Sequence, residues 1–79
     1  MSGETRVIDV RPILQSGGEP LDAILAAAEE VPEGGTLVVV APFEPMPLYG
    51  VMRQLGFAHE IGAEEGGGFR VVFTRSSPS

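Results

Sequence analysis

The residues whose types could do chemistry fall in two loops. The first runs from Arg11 to Ser16-Gly17-Gly18-Glu19-Pro20, and the second is Phe43-Glu44 with Tyr49 just beyond. A glycine pair ahead of a helix can aim backbone N–H groups at an anion, and the helix N-terminus adds partial positive charge. Arg11 would add a full charge. These residues therefore define an expected anion or ligand site over Arg11, Ser16, Gly17, Gly18 and Glu19. The plainer alternative is that the glycines only make the turn and that Arg11 pairs with Glu19 or Glu44. Phe43, Met46 and Tyr49 are expected as an apolar lip beside that site, or else Phe43 and Tyr49 cap the core.

Other chemistry-bearing residues carry less. Glu44, Glu64 and Glu65 should share one edge, where carboxylates can hold a cation or form a solvated acidic rim. Their spacing matches no metal loop. His59 shares a strand side with Phe57 and Ile61, which reads as structural. Ser16 lacks the G-x-S-x-G context and a base. No catalytic residue, metal or cofactor is expected.

The elements that must position these residues follow from pattern. Arg6–Val10 alternates and is β-branched, so it reads as a strand, stopped by Arg11-Pro12. Leu21–Glu30 reads as a helix with Leu21, Ile24, Leu25 and Ala28 on one apolar face. Thr36–Ala41 is apolar throughout, as in a central strand. Three prolines stiffen Pro42–Pro47. Leu48–Leu55 reads as a second helix with Leu48, Val51, Met52 and Leu55 buried, ended by Gly56. Phe57–Ile61 and Phe69–Thr74 read as strands joined by the glycine-rich turn at 64–68. Residues 6–75 form one domain, and 1–5 and 76–79 are expected to be disordered tails.

The order β-α-β-α-β-β predicts an α/β (α+β) two-layer sandwich, a four-stranded mixed sheet with two helices on one face. The uncovered face should then expose Val38, Val40 and Val72 as an interface, giving a weak homodimer or a hetero-partner.

Composition narrows the function classes. Among the 79 residues, eleven carboxylates stand against five arginines, with no lysine and a net charge of −6. That balance opposes nucleic acid and anionic membranes but admits a protein partner. The absence of cysteine excludes disulfides, thiolate metal sites, persulfides and thiol nucleophiles on this chain. A single histidine argues against zinc. No apolar run reaches the roughly 20 residues of a membrane span, and no signal peptide is read at Met1–Glu4. A cytoplasmic protein of bacterial type is expected.

Ile8-Asp9-Val10-Arg11, Glu19-Pro20 and Pro32-Glu33-Gly34-Gly35-Thr36-Leu37, in this element order, resemble the TusA/SirA-like sulfur-carrier fold over roughly Val7 to Arg75. In the carriers a Cys-Pro-x-Pro motif opens helix one, and its cysteine holds the persulfide. Glu19-Pro20 matches the end of that motif, Gly17 and Gly18 stand where Cys-Pro would be, and the loop is about two residues longer. Pro45-x-Pro47-Leu48 is similar to a bacterial branch of the fold, a domain of unknown function with an Asp-His-Asp-Pro-x-Pro-Leu stretch. There Pro42, Phe43 and Glu44 replace Asp-His-Asp.

The function expected is a non-catalytic module that binds a protein partner or small anion at the helix N-terminal edge, with Phe43, Glu44 and Tyr49 beside the glycine loop. One alternative is a component of a sulfur-transfer or redox pathway without its own persulfide cysteine. Another is a structural subunit that dimerises through the open sheet face.

Overall fold

A computed structural model describes residues 4–76; the remainder of both expected tails lies outside the described residues. The elements are β1 (Thr5–Asp9), α1 (Arg11–Gln15), α2 (Pro20–Glu29), β2 (Thr36–Ala41), α3 (Met46–Gln54), β3 (Phe57–Ala63) and β4 (Phe69–Arg75). The sheet order is β1-β2-β4-β3. β1 and β2 are parallel, and β4 runs antiparallel to both β2 and β3. The expected mixed α/β sheet and hairpin are present.

Side-chain alternation along the paired strands divides the sheet into two faces. Leu37, Val39 and Ala41 of β2, with Val71 and Phe73 of β4, turn to the helices and form one cluster with Ile24, Ala28, Leu48 and Met52. Val39, Val71, Phe73 and Met52 are fully removed from solvent. Each such side chain contributes roughly 1.5–3 kcal/mol of burial. Phe57 meets Phe73 edge-on at 6.5 Å, and the Arg75 guanidinium lies 4.8 Å over the Phe57 ring. Both α2 and α3 thus cover one face, as two layers require.

Four expectations are corrected. First, Arg11-Pro12 does not merely stop β1. It opens the five-residue α1, because proline suits the first turn of a helix. Among the described residues the helices number three, not two. Second, Glu4, Thr5 and Ser76 are tied in rather than disordered. Thr36 N donates to the Glu4 carbonyl at 2.8 Å, and Ser76 N donates to the Gly56 carbonyl at 2.9 Å. Third, the apolar stripes of α2 and α3 are wider than the surface that covers them: Leu21, Val51 and Leu55 are exposed. Fourth, Val38 and Val40 are each only 3% exposed, although they face away from the helices. They lie on an inner strand, flanked across the ladder by Val7 and Val72, and by Asp9 and Arg70. Side chains on the neighbouring strands cover them without a second layer. Among the described residues the exposed large apolar residue on that face is Val7, at 60%.

The hairpin tip returns to the end of β2. A Cβ on Gly68 would stand 2.5 Å from the Ala41 carbonyl oxygen, and its φ is +92°. Only glycine fits there.

Candidate functional site

The glycine loop has a structural job that its sequence does not announce. Ser16 caps α1, Gly17 follows with φ +79°, and Gly17 N and Gly18 N donate to the carbonyls of Leu14 and Ile13 at 3.1 and 2.8 Å. This pair of bonds is the Schellman closure of a helix C-terminus. The Ser16 hydroxyl donates to the Ile13 carbonyl at 2.9 Å. The N–H groups expected to cradle an anion are therefore already bonded within α1.

The helix N-termini offer fewer donors than expected. α2 begins with Pro20, which has no N–H, and its N-cap Glu19 makes no side-chain capping bond. At α3, Met46 N donates to the Glu44 carbonyl at 2.9 Å, Leu48 N donates to the Pro45 carbonyl at 3.0 Å, and Pro47 between them has no N–H.

Arg11 pairs with neither Glu19 nor Glu44. Its guanidinium forks onto Asp9, with Nε donating to Oδ1 at 2.9 Å and Nη2 to Oδ2 at 2.7 Å. These bonds hold the Asp9 carboxyl below its usual range and raise Arg11 above its own. Glu64 lies near enough to add to the shift of Arg11, and it pairs with Arg70 at 3.8 Å. Among the described residues no group of three or more His, Asp or Glu comes together to hold a metal ion.

What the edge does contain is an apolar cleft. It lies between α2 and α3 and has a volume of about 350 Å³. Val39 and Ala41 of β2 line it, with Leu21 and Ile24 of α2, Leu48 and Val51 of α3, Leu14 of α1, and Phe43 with Pro45 and Pro47. Glu19 is the single polar side chain in the lining. Leu21 and Val51 are 38% and 37% exposed, and Phe43 is 54% exposed, so Phe43 is a lip and not a cap.

The expected site residues thus separate. Glu19 and Phe43 reach the cleft. Gly17, Gly18 and Ser16 close α1 behind it, and Arg11 is bound to Asp9. Tyr49 packs against the core and donates to Glu44 Oε2 at 3.2 Å. The helical spacing puts Leu21 on the apolar face of α2 and Val51 in the buried stripe of α3, whereas both stand partly exposed in the cleft wall. The readable signal was an apolar stripe broader on each helix than a small sheet can cover.

Among the described residues the chain is thus a mixed α/β domain with three helices, a four-stranded sheet and an open apolar cleft between the N-termini of α2 and α3. The chain matches, over residues 7–75, the family described as "Uncharacterized conserved protein (DUF2249)", and it belongs to that family. No curated protein and no solved structure matches it.

Proposed function

We propose that this domain is a non-catalytic binding module, and that the cleft between α2 and α3 takes an apolar group from a protein partner. The observation that carries this is the exposure of Leu21, Phe43 and Val51 around one cavity of about 350 Å³. A soluble domain leaves such a surface open at a cost, and concave apolar sites are where ligands bind. A small anion is the lesser arm of the reading, because the Gly17 and Gly18 N–H groups are taken and Glu19 stands at the mouth. Its supporting feature is the pair of helix ends at one edge. The element order and mixed sheet support kinship with the TusA/SirA-like fold, and the acidic, cysteine-free composition supports a bacterial cytoplasmic setting. A sulfur-transfer role rests on that kinship alone.

NMR titrations of the labelled protein with toluene and, separately, with phosphate test this. Toluene should move the resonances of Leu21, Phe43 and Val51, and Val51→Glu should abolish the effect. If toluene moves nothing in the cleft, the reading fails. If phosphate instead moves the amides of Ser16–Glu19, the anion arm takes its place.

A second reading, association through the open sheet face, is favoured by one observation. Val7, at 60% exposure, stands in one cross-strand row with Val38 and Val72.

A further inference from the structure

The cleft is apolar inside and negative at its rim. Glu19 is the only polar residue of the lining. Asp22 sits in the first turn of α2 beside the lining Leu21, while the Glu44 carboxylate, next to the lining Phe43 in the chain, accepts from the Tyr49 hydroxyl. No arginine lines the cleft, and Arg11 is held by Asp9. Among the described residues the Glu19 carboxylate has neither a hydrogen bond nor an ion pair. The chain adds a net charge of −6 behind these groups.

Such a rim selects the charge of whatever enters. A carboxylate beside a low-dielectric wall repels an anionic guest and attracts a cationic one more strongly than it would in open water. The partial positive ends of α2 and α3 act the other way. Glu19 and Asp22 already stand on the α2 end, however, and the first N–H groups of α3 are bonded. Size narrows the guest further. A cavity of about 350 Å³ is at the small end for ligand sites and suits about two large side chains rather than a whole cofactor. A second copy of the chain would bring the same surplus of negative charge.

We propose that the cleft docks a basic–apolar segment of a partner protein. One or two large apolar side chains enter between Leu21 and Val51, and a neighbouring lysine or arginine of the partner rests on Glu19. This rests on the reading of the cleft as the binding site. It adds the sign of the partner's charge and names Glu19 as the residue that reads it.

Three capped peptides that share a Leu-Phe pair, flanked on both sides by Lys, Ser or Glu, provide the probe. Each is titrated into the labelled full chain at low and high salt. The Lys-flanked peptide should move Leu21, Phe43 and Val51 and should bind about tenfold more tightly than the Glu-flanked one, an advantage that salt removes. Glu19→Gln should weaken the Lys-flanked peptide about threefold, and should weaken it more than the Ser-flanked one. Glu19 is exposed and makes no capping bond, so this variant keeps the fold. Equal binding of all three peptides overturns the basic partner while the cleft stands. Peptide silence with toluene still bound in the cleft also overturns it, and silence of both removes the cleft reading itself. Binding of the Lys-flanked peptide at Asp9 and Glu60, on the other face, overturns it as well. So does displacement of the peptide from the cleft by self-association, seen as a rise in mass.

Discussion

The Tyr49 ring lies flat on the His59 imidazole, with centroids 3.9 Å apart and planes 9° from parallel. One residue belongs to α3 and the other to the edge strand β3. Strand pairing sets His59 opposite Phe73, and the Tyr49 ring also leans on Phe73 at 6.4 Å. The stack therefore ties α3 to the sheet at its exposed margin. Stacked aromatic pairs of this kind contribute about 0.5–1.5 kcal/mol beyond area burial. Tyr49 serves the scaffold, while Phe43, earlier in the same loop-to-helix segment, lines the cleft.

Tyr49 is the only tyrosine, and the chain has no tryptophan, so ultraviolet absorbance reports its ionisation alone. Burial, and then the hydrogen bond and charge of Glu44, push its pKa above the ordinary value near 10. The folded state disfavours the phenolate, so stability from this group is complete below about pH 10 and is lost as pH rises through the folded pKa. An alkaline absorbance titration should give a midpoint above that of free tyrosine. Glu44→Gln should lower the midpoint without restoring the free value, because burial is the leading cause. A midpoint equal to that of free tyrosine in the wild type would contradict the placement.

The core makes a second test. Ile24 is 4% exposed, Val71 is 0% exposed, and both belong to the cluster between helices and sheet. Ile24→Ala and Val71→Ala should each cost about 2–4 kcal/mol, enough to threaten a domain of this size. Urea midpoints measure the loss. Val51→Ala, on the wall of the open cleft, should cost far less. Equal losses at Val51 and Val71 would mean that the cleft is closed in solution.

Much of this fold was legible because the patterns involved are local. The apolar run Leu37–Ala41 could only be an inner strand, and the short glycine-rich link at 64–68 could only join a hairpin. α1 was not legible. Five residues are too few to show a helical period, and Arg11-Pro12 fits a strand end and a helix start equally well. Missing α1 also hid the role of Gly17-Gly18, since a C-terminal cap has meaning only once its helix is known. Val38 and Val40 were misjudged because a strand pattern says which face a side chain takes, not how far the flanking strands shade it. The cleft draws on well-separated segments of the chain, and no single stretch carries it.

The cap explains why the loop needs two glycines. Gly17 holds φ +79° with nothing near the position of a Cβ, whereas a Cβ on Gly18 would stand 3.0 Å from Ile13 Cγ2. Gly17→Ala should cost about 1 kcal/mol through backbone conformation alone. Gly17→Asn should cost less, because asparagine tolerates the left-handed region. Chemical denaturation of the pair ranks them. If alanine and asparagine are equally harmless, the α1 cap is not formed as described.

The open sheet face supplies the last test. Val7, Val38, Val72 and Glu60 form one row across the four strands. Val72 borders a shallow depression with Ala58, Glu60 and Thr74, and Val7 protrudes at the opposite margin. If two copies associate face to face, Val7 is the apolar group with most to bury, since Val38 and Val40 are already covered. The net charge of −6 opposes association, and salt screens that repulsion over roughly 8–10 Å. Sedimentation at high protein concentration should therefore show weak dimers that strengthen with salt, and Val7→Lys should abolish them without lowering stability. Val72→Glu is the poorer probe. Glu60 is directly opposite it, and paired carboxylates across a ladder are destabilising in themselves. Val72→Lys avoids that repulsion and should match Val7→Lys. A wild type that stays monomeric at every salt concentration would rule out self-association through this face.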